Sequence, residues 1–434
     1  MFSKILVANR GEIAVRIIRA CKEMGISSVA VYSEADAESL HVAMADESYC
    51  IGKADAADSY LNHDRIISAA LVSGAQAIHP GYGFLSENPD FAEACTRNDI
   101  VFIGPSSENM RNLGDKETVK SVMEEQGLEV IPGTGILKSS KEAEKKAEKL
   151  GYPVMLKARA GGGGRGIRLI RNSSEMKDGF TAASAEAKAA FGDGGVYMEK
   201  YINPAKHIEL QILADEFGNV VCLGERDCSI QIRNKKIIEE SPSPTIEKDQ
   251  RESLMKKAAA AVKGIGYIGA GTLEFLADEK GGAYFMEINI RLQVEHTVTE
   301  ALTGIDLVKW QIRIAAGIPL NFEQKDVDLK GCAIECRVNA LAPGKVEFMH
   351  LPGGPFVRFD TFLVTGTQVT GYYDSLIGKL IIYSANREES VRKIKAALCE
   401  LIIEGVPNNI AQLINIVDSE EFMTGRYDLN YKAE

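Results

Sequence analysis

The chain has 434 residues, 45% hydrophobic and 26% charged, which is enough apolar surface for about three globular units. A net charge of −11 argues against nucleic acid as a partner, although local basic patches could still hold phosphates. No apolar run approaches the roughly 18 residues that span a bilayer, and a start carrying Lys4, Arg10 and Glu12 is no signal peptide, so no membrane is expected and a cytoplasmic location is. The eight cysteines show no Cys-x-x-Cys spacing and read as reduced thiols rather than zinc ligands or disulfides.

Residues 4–8 read as a buried strand and 12–24 as a helix stopped by Gly25. Residues 28–32, 75–78 and 100–103 read as further strands. This alternation predicts an open parallel α/β sheet over residues 1–113. Asn9-Arg10-Gly11-Glu12 stands where a dinucleotide fold carries its glycine-rich turn, but its single glycine argues against NAD. A helix opens at Lys116 and ends near Gly127. Ser139 and Glu142 have capping-box spacing for a helix that stops at Gly151, with Pro153 just beyond. Residues 154–158 form a strand running directly into a glycine run, and 196–200 closes this compact unit. A β-rich unit begins at His207. A third unit begins at Gly331, with strands around Ile334 and Leu380 and a helix over 388–401. The expected fold is therefore α/β and α+β in three domains. These are an open parallel α/β domain (1–113), a central domain (114–330) with a small lid at roughly 131–203, and a β-rich α+β domain (331–434).

Four consecutive glycines, 161–164, sacrifice backbone order and pack nothing. Their plausible use is a moving loop whose N–H groups wrap phosphates, with a flexible linker as the alternative. Lys157 alternates out of the apolar strand before the loop, where a charge needs an anionic partner. Lys116 sits at a helix start, where the dipole disfavours cations unless an anion is bound.

The stretch 272–296 is the most informative. Two apolar runs flank the turn sequence 278–282, which predicts a hairpin. A turn centred on Lys280 and Gly281 sets Glu274 opposite Glu287. Two facing carboxylates repel, and a divalent cation turns the repulsion into a ligand pair. Oxygen donors suit Mg²⁺, and Asn289 shares the face as a third ligand. A solvated polar face is the alternative. Glu287, Asn289, Arg291, Gln293 and Glu295 alternate with apolar residues, so all five share one side. A straight strand would spread them over roughly 26 Å. A bend after Asn289 is expected, with metal at the acidic end and an anionic reactant at the Arg291–Glu295 end.

Along essentially its whole length the chain resembles the biotin carboxylases of the ATP-grasp superfamily. The resemblance is carried by the segments 8–14, 79–88, 161–166, 225–228, 287–296, 335–339 and 372–379. It implies an ATP-dependent ligase in which ATP and bicarbonate form carboxyphosphate, whose CO₂ carboxylates biotin on a carrier protein. It also implies a central ATP-grasp domain, Mg²⁺ (or Mn²⁺) as cofactor, a homodimer with Arg16, Arg19 and Glu23 at its contact surface, and carboxyltransferase subunits as partners, as in acetyl-CoA carboxylase. Lys116, Lys157, Gly163 and Gly164 would bind phosphates. Glu199, Lys200, Tyr201 and Ile202 would hold the adenine edge, with His207 nearby, and Glu274, Glu287 and Asn289 the metal. Lys236, Arg291, Gln293 and Val294 would hold bicarbonate, Glu295 would be the general base, and Arg337 would stabilise the enolate oxygen of biotin. Tyr82 and Asp374 would line the biotin end. With no Ala-Met-Lys-Met motif and no carboxyltransferase region, the chain is expected to need separate partners. The sequence departs from the family at Asn234-Lys235-Lys236 (usually His-Gln-Lys), at Ile232 and Ile290, and in a shortened loop after Asn339. These departures motivate two alternatives: a divergent ATP-grasp carboxylate–amine ligase, or an ATP-binding regulatory subunit without activity.

Overall fold

The computed structural model describes residues 1–114, 116–159 and 166–432, and of residues 116–118 and 191 the backbone alone. Five parallel strands open the chain, in the order Glu47–Gly52, Ser27–Ser33, Lys4–Val7, Ala77–His79, Val101–Phe102. Lys4–Val7 is central, and Ile5, Leu6 and Val7 are completely buried, as a strand covered on both faces requires. The helix Gly11–Glu23 follows it and buries Ile13, Ala14, Ile17 and Ile18.

An eight-stranded antiparallel sheet forms the body of the molecule. Its order is Ala283–Asn289, Gly269–Asp278, Ala205–Ala214, Val220–Ile232, Lys235–Ser241, Cys332–Asn339, Leu376–Ser384, Val357–Thr361. The ladder between Lys235–Ser241 and Cys332–Asn339 carries the sheet without a break across residue 331, where the third unit was expected to begin. One face of the sheet can therefore collect side chains from distant parts of the sequence.

A separate three-stranded sheet, Ile167–Ile170, Val154–Ala158, Val196–Lys200, is covered by the helices Ser140–Leu150 and Ser173–Phe191. Leu156, Val154, Val196, Met198, Ala143 and Ala147 give it a core of its own. Ser139 Oγ accepts from the Glu142 N–H, but the Glu142 carboxylate takes the Lys138 N–H. Only half of the expected capping box therefore forms.

The hairpin of Gly269–Asp278 and Ala283–Asn289 pairs Glu274 with Glu287, by a different route from the expected two-residue turn. Ala277 faces Ala283 and the Asp278 N–H donates to the Gly282 carbonyl at 2.9 Å, so the loop is three residues centred on Lys280, with Gly281 at φ +88°. Continued regularly, this loop would bring Met286 opposite Glu274. A bulge between Glu274 and Phe275 absorbs Met286 and restores the carboxylate pair.

Candidate active site

Glu274 faces Glu287 on one side and Glu209 on the other, and Glu209 faces Arg226. One rung thus crosses four strands as Arg226, Glu209, Glu274, Glu287. Two residues along, on the same face, lies the rung Gln211, Thr272, Asn289. Three carboxylates in line repel one another, and the surrounding cations offset this. Arg226 is completely buried. It donates to Glu209 Oε2 at 3.1 Å, Gln211 Oε1 at 2.7 Å, Thr272 Oγ1 and Thr299 Oγ1 at 3.0 Å, and Gln293 Oε1 at 2.6 Å. Lys236 Nζ contacts Glu209 and lies 2.8 Å from Glu295 Oε1 and 3.3 Å from Glu274 Oε1. His207 Nε2 is 2.8 Å from Glu274 Oε2. The turn that delivers Lys236 is a two-residue hairpin, Arg233 and Asn234, at φ +51° and +62°. Asparagine tolerates that conformation better than most side chains, which accounts locally for Asn234.

The strand Ala283–Asn289 ends where the bend was expected, and His296 begins the helix His296–Thr303. Between them Arg291 donates to Asn289 Oδ1 and pairs with Glu87 Oε2, both at 3.1 Å. Gln293 Nε2 and Asn289 Nδ2 donate to Glu274 Oε1 at 2.8 and 2.7 Å. Glu295, 2% exposed, accepts from Arg337 Nη2 at 2.8 Å through its second oxygen, while Arg337 Nε reaches Glu239 Oε1 at 2.6 Å. Burial acts to raise the Glu295 carboxyl, but Lys236, Arg337 and Arg226 outweigh it and hold it well below the usual carboxylate range. Burial is likewise outweighed at Glu274, by Lys236 and His207. At Glu209 burial wins over Lys236, and the charges of Glu295 and Glu274 add to it, so this carboxyl is pushed up.

The structure thus gathers His207, Lys236, Glu274, Asn289, Arg291, Gln293, Glu295 and Arg337 into one connected cluster, with Glu287 on the carboxylate rung. A second cluster lies on the small sheet, where Lys157 Nζ is 2.6 Å from Glu199 Oε2 and Lys120 pairs with the other oxygen. Lys200 Nζ donates to the Gly151 carbonyl at 2.6 Å, and Tyr201 and Ile202 follow, half-buried, on the way to the large sheet. Lys116 is the first residue of the helix Lys116–Glu125; its side chain, with Gly163 and Gly164, lies outside the described residues. Val294 offers its carbonyl to Lys379 Nζ at 2.8 Å. Tyr82 donates to Glu12, whereas Asp374 is exposed and 3.7 Å from Lys235. Sequence reasoning assigned no role to Glu209, Arg226, Glu239, Lys120, Glu12 or Lys379. For Glu209 a signal existed: His207, Glu209 and Gln211 alternate with apolar residues just as the 287–295 series does.

Carboxylates aligned across a β-hairpin, joined in one cluster to Lys236, Arg291 and Arg337, together with a small separately packed sheet, match the layout of an ATP-grasp ligase. A family model for the ATP-binding domain of the carbamoyl-phosphate synthase L chain matches residues 115–323. Models for the N-terminal and C-terminal domains of biotin carboxylase match residues 1–110 and 335–433. The chain belongs to the biotin carboxylase family. It is 51% identical to a biotin carboxylase of Nostoc sp. PCC 7120, covering 100% of this chain and 99% of that one. A crystal structure of the biotin carboxylase domain dimer of Hydrogenobacter thermophilus 2-oxoglutarate carboxylase, in complex with MgADP, ADP and bicarbonate, is 50% identical with a TM-score of 0.94 over 99% of this chain and 97% of that chain. The biotin carboxylase of Campylobacter jejuni, also solved as a nucleotide complex, has a TM-score of 0.96 at 46% identity, over 99% and 98% of the two chains.

Proposed function

We propose that the enzyme uses ATP and bicarbonate to carboxylate biotin presented on a carrier protein, by way of carboxyphosphate. The observation that carries this reading is Glu295, buried and ionised between Lys236 and Arg337 and adjoining the carboxylate rung. The donor set fits a hard divalent cation: Glu274 and Glu287 face each other and Asn289 shares their face, all oxygen ligands. Asn289 must turn its amide over for Oδ1 to reach such an ion, because Nδ2 now points at Glu274. When bound, Mg²⁺ (or Mn²⁺) neutralises charge developing on the transferred phosphoryl group.

Lys116, Lys157, Gly163 and Gly164 would hold the phosphates, and the 199–202 segment with His207 the adenosine side. Bicarbonate would lie among Lys236, Arg291, Gln293 and the backbone of Val294, its negative charge matched by a planar guanidinium fork. Glu295 takes the bicarbonate proton, the freed oxygen attacks the γ-phosphorus, and ADP departs. Carboxyphosphate then splits into CO₂ and phosphate, the phosphate takes the N1′ proton of biotin, and N1′ attacks the CO₂ while Arg337 stabilises the enolate oxygen, with Tyr82 and Asp374 bordering the biotin end. The domain division proposed for this chemistry is 1–113, 114–330 with its lid at 131–203, and 331–434. A homodimer, as in the Hydrogenobacter domain, a biotin carboxyl carrier, separate carboxyltransferase subunits and a cytoplasmic setting complete the reading. No helix among the described residues is long and apolar enough to cross a membrane.

The test is purified protein with Mg-ATP, labelled bicarbonate and free biotin. The expected result is label fixed on biotin, with ADP release dependent on both acceptors. Glu295→Gln should abolish fixation while leaving ATP binding intact. ADP release indifferent to biotin, or label transferred only to an amine acceptor, would favour the carboxylate–amine ligase alternative. Nucleotide binding without turnover would favour the regulatory one.

A further inference from the structure

Lys379 is completely buried on the strand Leu376–Ser384, between Arg337 on one neighbouring strand and Asp360 on the other. Two cations facing each other on one rung repel, and a lysine withdrawn from water is costly unless its N–H groups are bonded. Among the described residues its Nζ has two polar partners. It donates to the Val294 carbonyl at 2.8 Å, and it lies 3.2 Å from Glu12 Oε1, on the first helix of the chain. The same Glu12 oxygen accepts from the Tyr82 hydroxyl, and the Tyr82 ring is centred 5.9 Å from Nζ. The carbonyl that satisfies one N–H of this buried ammonium belongs to the peptide bond leading into Glu295. The rung therefore grips Glu295 twice: Arg337 by its carboxylate, Lys379 by the peptide that precedes it.

We propose that Lys379 is a positioning residue: by holding the Val294 carbonyl and, through Glu12, the Tyr82 hydroxyl, it keeps the base on the bicarbonate side and the aromatic ring on the biotin side at one spacing. This rests on the function proposed above. Loss of that spacing slows proton removal from bicarbonate and, with biotin held out of line, lets the carboxyphosphate that does form decay without transfer. The signature is uncoupling, which loss of folded protein alone does not produce.

The experiment compares Lys379→Met, Lys379→Gln and the double variant Glu12→Gln/Lys379→Met in the full chain, reading ADP released and biotin carboxylated. The double variant removes the ion pair as a unit, so no unpaired charge is left buried to unfold it. For Lys379→Met and the double variant, kcat for biotin carboxylation should fall about 10- to 100-fold, as for other displaced reacting groups. ADP released per biotin carboxylated should rise, with KM for Mg-ATP unchanged. Lys379→Gln, which can still donate to the carbonyl, should recover part of the coupling. The inference is overturned if the double variant keeps the wild-type rate and ratio, or if every variant loses rate only in proportion to its folded fraction with the ratio unchanged. A wild-type chain that carboxylates no biotin overturns the functional reading itself.

Discussion

At the scale of single residues, the site is an arrangement of buried charge in which each ion depends on its neighbours. Arg226 shows this most clearly: it has no exposed surface and spreads its donors over five side chains from four segments. Replacing it by methionine leaves Glu209 beside Glu274 and Glu295, with Lys236 and a protonated His207 as the cations that face it. Breaking a buried pair from one side typically costs about 3–5 kcal/mol. Arg226→Met should lower the stability measured by urea denaturation by that order, and adding Glu209→Gln should recover part of it. A midpoint unchanged by the single substitution would mean that the rung is not held by this ion.

At the scale of elements, the small three-stranded sheet has its own core and reaches the rest of the molecule through the chain on either side of it and through a few contacts such as Lys120 with Glu199. Leu156 is completely buried in that core. Leu156→Ala, which in a packed core removes about 2–5 kcal/mol, should speed amide exchange in the strands Val154–Ala158, Ile167–Ile170 and Val196–Lys200 and raise KM for ATP. The large sheet should keep its protection, and acceleration spreading into Ala205–Ala214 would contradict a separate lid. The hairpin marks how much of this level could be read beforehand. Period-two alternation placed Glu274, Glu287 and Asn289 on one face, because a strand's own sequence determines its faces. The turn is centred half a residue earlier than its sequence predicts, and the register survives through a bulge at Met286 that no local pattern signals. Arg226, Glu239, Glu12 and Lys379 went unassigned for a related reason. The partner of each is chosen by a ladder or contact far away in sequence.

For the whole molecule, acid sensitivity follows from histidines buried in their neutral form. Burial pushes His41 down to about 4 and His79 to about 3. In the unfolded chain both return to the ordinary value near 6.5, so unfolding takes up protons below that pH. Their contribution to stability is complete above pH 6.5 and is lost as pH falls towards 4 and then 3. Between pH 6.5 and 5, before most carboxylates titrate, stability should fall by up to about 1.4 kcal/mol per pH unit for each of them. His41→Gln with His79→Gln should flatten that slope in denaturation series, and an unchanged slope would refute the assignment. At this scale the parallel sheet, the central body and the charge pattern of the site were legible from the sequence, whereas the continuity of one sheet across residue 331 was not, since it depends on Lys235–Ser241 finding Cys332–Asn339. The proposed reaction places the nucleotide's metal on the hairpin carboxylates, beside the cations Lys236, Arg291 and Arg337. Crystals grown with Mn-ADP and measured at the manganese absorption edge test it most directly. The expected result is an anomalous peak about 2 Å from carboxylate oxygens of both Glu274 and Glu287. A peak that touches neither residue would contradict it.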